Sequence, residues 1–303
     1  MQFDEEPLSL ERLAATVDAA RDGGFSAVSA NDHLVFRTPW LDGPTALAGM
    51  IERSGEMALA TTVSLAGLRG PVPLAKALAA IDVLSDGRLV AGVGPGSSER
   101  DYQVLGIPFE ERWKRFDEAL AVLRALLRGQ PMPERPRYYP VTPDVELVPG
   151  PWRQDGVPLW IGSWGSSAGL ARVARAGDGW LASAYNTTPE QFSGARTALA
   201  HALEDRGRVA DGFPSALATM WTWVSKDRAD ADRVLADVLA PVLKRDPDEL
   251  RTQICVGSPD HCAELLSRYA EAGCERVYLW PLGDEPRQLE LVAAAVAPQL
   301  GRG

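Results

Sequence analysis

Apolar and polar positions alternate between two periods along most of the chain. Short apolar runs predict strands at 25–30 (FSAVSA), 57–65 (MALATTVSL), 88–94 (RLVAGVG), 158–163 (PLWIGS), 179–183 (GWLAS), 216–224 (ALATMWTWV) and 276–280 (RVYLW). Between them, apolar residues recur at i, i+3, i+4 and i+7, the spacing that lines one face of an α-helix. Leu10, Leu13, Ala14 and Val17 make one stripe, Leu74, Ala77, Leu78 and Ile81 a second, and Cys262, Leu265, Leu266 and Tyr269 a third. Several strands are apolar on both faces, as parallel strands covered by helices must be. Strand followed by helix, repeated over some 250 residues, predicts an α/β protein, either a (β/α)8 TIM barrel or a doubly wound sheet.

Two features modify that picture. The pattern opens on a helix near Ser9 and supplies seven strand runs, so a barrel built from it would have its N-terminal first strand missing or truncated. Residues 129–157 are proline-rich, which forbids a continuous helix and predicts an extended excursion with a hairpin in it. Residues 225–259 form a second insertion, with a helix-like run near 228–243. The expectation is a single barrel domain over 1–303 with these two insertions.

Composition narrows the partners. Asp and Glu number 41 against 31 Lys and Arg, a formal charge of −10 that disfavours a nucleic-acid backbone or an anionic membrane as partner. The longest apolar run, LVAAAVA at 291–297, is far shorter than the roughly 18 residues of a membrane span. The acidic start, MQFDEEP, does not read as a signal peptide, so a cytoplasmic protein with a small-molecule substrate is expected. Cys255, Cys262 and Cys274 read as free thiols, and His33, His201 and His261 have no metal-binding spacing, so no metal is expected.

In a barrel the chemistry gathers at the C-terminal ends of the strands. Those ends carry Asn31-Asp32-His33, Thr62-Val63-Ser64, Gly94 to Arg100, Ser163 to Ser166, Ser183 to Tyr185, and Trp280. The stretch AGVGPGSSER (91–100) is not a dinucleotide fingerprint, since Ser97 stands where the third glycine belongs, and it lacks the GK[ST] ending of a P-loop. A plain turn and a rim where a flat ligand approaches the backbone both fit it. The stretch IGSWGSS (161–167) fits either a phosphate site between strand and helix or an ordinary serine N-cap. Asp32-His33 could be an oriented acid–base pair or a polar loop.

Several ordered motifs resemble the luciferase-like monooxygenase superfamily of flavin- and deazaflavin-dependent (β/α)8 oxidoreductases. The most specific is RGPVPLAKALAAIDVLSDGRLVAGVGPGSSERDYQVLGIPFEERWKRFDEALAVLRALL (69–127). GFSAVSANDHL (24–34), PLWIGSWGSSAGLARVARAGDGW (158–180) and VGSPDHCAELLSRYAEAGCERVYL (256–279) add to it. The resemblance implies coenzyme F420 as cofactor, with FMN the alternative, and by analogy a homodimer. It assigns catalysis to His33, with Asp32 setting its orientation. Thr62-Val63 is expected to form a bulge with a non-proline cis peptide against the ring face. Gly94, Gly96 and Ser97 would wall the ring pocket, Gly162, Ser163, Trp164, Gly165 and Ser166 would hold the cofactor phosphate, and Trp40 and Trp164 would be ring or substrate neighbours. Arg69, Arg88 and Arg100 are candidate cations for an anionic cofactor tail.

One departure from the family pattern is informative. Sugar-phosphate dehydrogenases of the superfamily carry a catalytic glutamate after this glycine turn, where this chain has Ser97, with Glu99 two residues on. That argues against sugar-phosphate oxidation and leaves three other readings: an FMN-dependent monooxygenase, a non-catalytic flavin-binding protein, and a glycosidase barrel. The last would need two paired carboxylates, and Asp32, Glu99 and Asp178 are the available ones.

Overall fold

Helix signals, strand runs and turn residues fall into place element by element in a computed structural model, which describes residues 8–36, 38–142 and 144–300. The chain divides into two compact units. One contains Ala27–Gly162 with Ala176–Gly179; the other contains the described residues up to Ser26, Ser163–Arg175, and those from Trp180 onward.

In the second unit, α1 (Leu10–Asp22) starts where the side chain of Ser9 accepts the Arg12 amide. Its buried stripe is Ala14, Val17 and Ala20, while Leu10 points to solvent. The first unit holds four parallel strands in sequence order: β1 (Ala27–Ala30), β2 (Ala58–Leu65), β3 (Leu89–Gly94) and β4 (Leu159–Gly162). A doubly wound sheet reverses its strand order at a switch point; sequential order is that of a barrel. β2 and β3 are buried on both faces. Their connections are α2 (Gly43–Gly49), α3 (Ala66–Arg69), α4 (Pro71–Leu84), α5 (Glu99–Val104) and α6 (Arg112–Arg128). Leu74, Leu78 and Ile81 of α4 and Phe116, Leu120, Leu123 and Leu127 of α6 are buried, each side chain contributing about 1.5–3 kcal/mol.

The excursion at 129–157 contains no strand among the described residues, so the expected hairpin is not there. Polar anchors hold it instead. Glu118 on α6 accepts the amides of Arg137, Tyr138 and Tyr139. Asp82 on α4 accepts the Trp152 amide and pairs with Arg153. Tyr139 then donates its hydroxyl to the carbonyl of Gly67, just past the tip of β2.

The second unit holds all but the last residue of α7 (Ser167–Ala176), all but the first of β5 (Gly179–Ser183), and α8 (Pro189–Glu204) and β6 (Ser215–Val224), followed by β7 (Cys255–Gly257) and β8 (Arg276–Pro281). β6 pairs in parallel with β5 and β8. Each of the seven sequence-derived runs is a strand. The additional one, β7, lies inside the 225–259 insertion and pairs with the last residues of β6, Thr222 to Val224. Trp180 stacks on Phe192 of α8 at 4.8 Å, and the buried Tyr269 donates to the carbonyl of Thr187. Among the described residues no strand precedes α1, β1 pairs only with β2, and β8 only with β6. No helix among them is long and apolar enough to cross a membrane.

Candidate active site

β1 ends at Asn31-Asp32-His33, and the three side chains part company at once. The Asp32 carboxylate is buried and accepts three bonds: Arg69 Nε at 2.5 Å and the Leu65 amide at 3.2 Å on Oδ2, and Arg69 Nη2 at 2.6 Å on Oδ1. Arg69 also bonds Asp42, the N-cap of α2. The hydrogen bond that Arg69 donates to Asp32 is the largest influence holding the guanidinium in its charged form. Bidentate pairing of this kind fixes geometry as well as charge. Asp32 therefore fastens the tip of β1 to α3 and does not orient His33, which corrects the sequence expectation.

The partner of His33 is Asp101. His33 Nδ1 lies 2.6 Å from Asp101 Oδ2, while Oδ1 of the same carboxylate accepts the amides of Leu34 (3.0 Å) and Val35 (2.9 Å). Burial pushes the Asp101 carboxyl up, but the bonds from His33, Val35 and Leu34 outweigh it and hold it below its ordinary value. The imidazole is flanked by Phe36 and Trp40, at centroid distances of 4.5 and 4.6 Å. Trp40 Nε1 donates to the carbonyl of Asn31.

Asp101 is in place because of the glycine–serine stretch before it. Ser98 caps α5, its hydroxyl accepting the amide of Asp101 three residues on. Tyr102, fully buried, donates its hydroxyl to Pro95 and meets Phe109 edge-on at 5.3 Å. Gly96 has φ 83°, and a Cβ there would come within 2.9 Å of Leu65. Ser97 is exposed on the rim, and Glu99 is exposed and accepts a bond from Gln103.

The register of β2 against β3 shifts between Thr61 and Ser64, and the Thr62–Val63 peptide in that bulge is cis. The bulge sends Val63 against the tips of β3 and β4. A Cβ on Gly94 would approach it to 2.8 Å, and one on Gly162 to 3.0 Å. Asn31 Nδ2 donates to the Thr62 carbonyl, tying the tip of β1 to the bulge. Three side-chain atoms here are buried with no hydrogen-bond partner: Asn31 Oδ1, Thr62 Oγ1 and Ser64 Oγ.

The first unit thus brings together Asp32, His33, Thr62, Val63, Gly94, Gly96 and Gly162. Ser163, Trp164, Gly165 and Ser166 belong to the second unit. There, Ser163 bonds Leu181 through its amide, and its hydroxyl accepts the amide of Gly165. Ser166 Oγ accepts the amide of Gly169, the geometry of a helix N-cap, and Trp164 is exposed. Arg69 is committed to two carboxylates, and Arg88 to Ser54 and the carbonyls of Ile51, Met57 and Ser85, so neither is available for a cofactor tail. Asp101 is the residue that the sequence reading missed. Its only local signal is an acid three residues after a serine N-cap, a position that acids favour for helix-start reasons alone.

The first unit thus combines parallel strands in sequence order with a glycine-lined bulge and a held imidazole at their tips. The luciferase-like monooxygenase profile matches residues 2–276, and the chain belongs to that family. The F420-dependent glucose-6-phosphate dehydrogenase of Beutenbergia cavernae is 30% identical over 95% of this chain and 92% of its own length. An uncharacterized protein of Mycobacterium bovis is 32% identical over 114 residues, so the chain matches only 38% of that relative's length. Among solved structures, an F420-dependent secondary alcohol dehydrogenase holding an F420–acetone adduct superposes with a TM-score of 0.83 at 17% identity, covering 97% of this chain and 96% of that one. The oxygenating constituent of 3,6-diketocamphane monooxygenase from Pseudomonas putida, in complex with FMN, superposes at 0.73 with 15% identity over 98% and 96%.

Proposed function

We propose that this protein is a coenzyme F420-dependent oxidoreductase that moves a hydride to or from an organic small molecule, with His33 exchanging the proton. The observation that carries the reading is the placement of His33, held by Asp101, on the same strand tips as the Thr62–Val63 bulge. The residues there fit a flat heteroaromatic ring. Asn31 Oδ1 can accept from a ring N–H, and the Thr62 and Ser64 hydroxyls can donate to ring carbonyls, where each atom would otherwise cost about 1–3 kcal/mol for burial without a partner. Gly94 and Gly162 let Val63 pack against the tips of β3 and β4, where a Cβ on either would collide with it.

Asn31, Thr62, Val63, Ser64, Gly94, Gly96 and Gly162 would hold the ring, with Ser97 at the rim. When bound, a deazaflavin supplies two-electron hydride chemistry. His33 handles the proton. As an alcohol loses its C–H hydride, the hydroxyl proton passes to Nε2 and a carbonyl forms; in reduction Nε2 returns that proton to the carbonyl oxygen. An alcohol or carbonyl without a phosphate is the favoured substrate, because Glu99 is turned to Gln103 and Arg69 is saturated by two carboxylates.

Titrating the purified protein with F420 and with FMN, followed by absorbance and fluorescence, tests the reading. Tight F420 binding with alcohol- or ketone-dependent turnover supports it. Preferential FMN binding with oxygen consumption would replace it with a monooxygenase, for which the FMN-bound structural neighbour supplies the fold precedent. Tight binding with no turnover over a substrate panel would point to a non-catalytic flavin-binding protein.

A further inference from the structure

We infer that Asp101 is the positioning residue of His33, fixing the imidazole in the tautomer that leaves Nε2 as the atom exchanging protons with substrate. The inference rests on the reading of His33 as the proton carrier, and it assigns the orienting role to a residue 68 positions away in sequence from the histidine.

The argument is one of donors and acceptors. A carboxylate only accepts, so the 2.6 Å contact requires the proton on Nδ1 of a neutral imidazole, and Nε2 then carries the free lone pair. Both oxygens of Asp32 are turned to other partners, Oδ1 to Arg69 and Oδ2 to Arg69 and the Leu65 amide. Asp101 also controls the backbone on which His33 sits. Its second oxygen takes the amides of the next two residues, Leu34 and Val35, so one carboxylate sets both the ring and the turn that follows it. The carboxylate is itself rigid. It stands in the first turn of α5, capped by Ser98, with the fully buried Tyr102 beside it. When His33 takes a proton, the same carboxylate is in contact with the resulting imidazolium. The Asp101 carboxyl, held below its ordinary value, is ionised throughout the neutral range.

The Asp101→Asn variant isolates this role. The amide oxygen can still accept from Leu34 and Val35, while the amide nitrogen faces His33 Nδ1 as a donor. Nδ1 must then be the lone-pair nitrogen and Nε2 must carry the proton, the wrong state for accepting one.

The test is nitrogen NMR of the full-length protein labelled at its three histidines, at alkaline pH where imidazole is neutral, with His33 assigned from the loss of its signals in His33→Asn. The expected result is a protonated Nδ1 on His33 in the wild type and a protonated Nε2 in D101N. In turnover, kcat of D101N should fall by about 10²–10⁴-fold, the range of general acid–base catalysis, with KM and cofactor affinity changing by less than about threefold. A wild-type His33 protonated on Nε2 overturns the inference without any variant having to fold, and so does an unchanged tautomer in a folded D101N. The NMR experiment needs no cofactor, so the two readings fail separately. A tautomer switch in a protein that turns over with neither F420 nor FMN supports the positioning role and removes the oxidoreductase reading. Turnover with D101N retaining wild-type kcat removes the positioning role alone.

Discussion

Two carboxylates flank the same histidine and have opposite tasks. The region around Asp32, where β1 meets α2 and α3, is a closed charge cluster: a buried carboxylate, the Arg69 guanidinium that chelates it, and Asp42 on the far side of that guanidinium. The region around Asp101, at the start of α5, spends its carboxylate on one imidazole nitrogen and two backbone amides. The first region ties the tip of β1 to α2 and α3 through one guanidinium shared by two carboxylates. The second holds the imidazole through Nδ1. Adjacency in sequence therefore misleads here: the aspartate next to His33 braces the scaffold, and the distant one serves the histidine.

The largest expected effect comes from removing the shared histidine. His33→Ala should lower turnover by about 10²–10⁴-fold, equivalent to about 3–5 kcal/mol of transition-state stabilisation, while cofactor titration remains near wild type. Full turnover in this variant would take His33 out of the mechanism and dissolve the contrast between its neighbours. Next is Asp32→Ala, which strands the partly buried Arg69 beside Asp42 alone. Breaking one side of such a pair costs about 3–5 kcal/mol, so urea unfolding should show a large drop in the midpoint, whereas D101N should stay within about 1–2 kcal/mol of wild type. Equal destabilisation by the two variants would mean that both carboxylates are braces.

The fold was largely legible in the sequence because burial on both faces of a parallel strand leaves a dense apolar run, and seven such runs stood out. β7 was not legible: Cys255–Gly257 is three residues long, too short for a period, and pairs only through the extra length of β6. The prolines of 129–157 correctly excluded a helix, but the anchors that shape the excursion, Asp82 and Glu118, sit on helices elsewhere and carry no local mark. The candidate site was legible in part, as positions in the fold. His33, the bulge at Thr62–Val63 and the glycines at 94 and 96 lie in motifs. The Asp101 contact depends on how α5 returns toward the tip of β1, which is tertiary information. For the same reason Arg69 and Arg88 looked like free cations, whereas each is bonded to groups of the protein.

A third comparison sharpens what the glycines contribute to the site region. Gly94→Ala would place a methyl 2.8 Å from Val63 Cγ2 in a buried position, an overpacking cost of about 1–3 kcal/mol that should appear together with weaker cofactor binding. Gly194→Ala on α8 meets nothing within 4 Å and replaces a poor helix former, so it should stabilise by up to about 1 kcal/mol. Thermal unfolding of the two variants should move in opposite directions. A Gly94→Ala protein as stable as wild type and binding cofactor equally well would show that the Val63 contact relaxes freely and that the glycine does not shape the pocket.

The smallest effect is the response of the Asp101 contact to acid. The Asp101 carboxyl titrates below its ordinary value in the folded protein, so it binds its proton less readily folded than unfolded. Its stabilisation is therefore fully present above the ordinary carboxyl value near 4 and is lost as pH falls through the lower folded value. Asn at this position keeps the two amide bonds and lacks the charge, so D101N should be less stable than wild type by about 1 kcal/mol at neutral pH. As Asp101 protonates, the wild type comes to resemble the amide, and the gap should close. Urea midpoints for both proteins, taken in steps from neutral pH to about pH 3, give the curve directly. A gap that stays constant across that range would mean that the contact with His33 is worth the same with or without the negative charge, and the imidazole would then be held by shape and packing between Phe36 and Trp40.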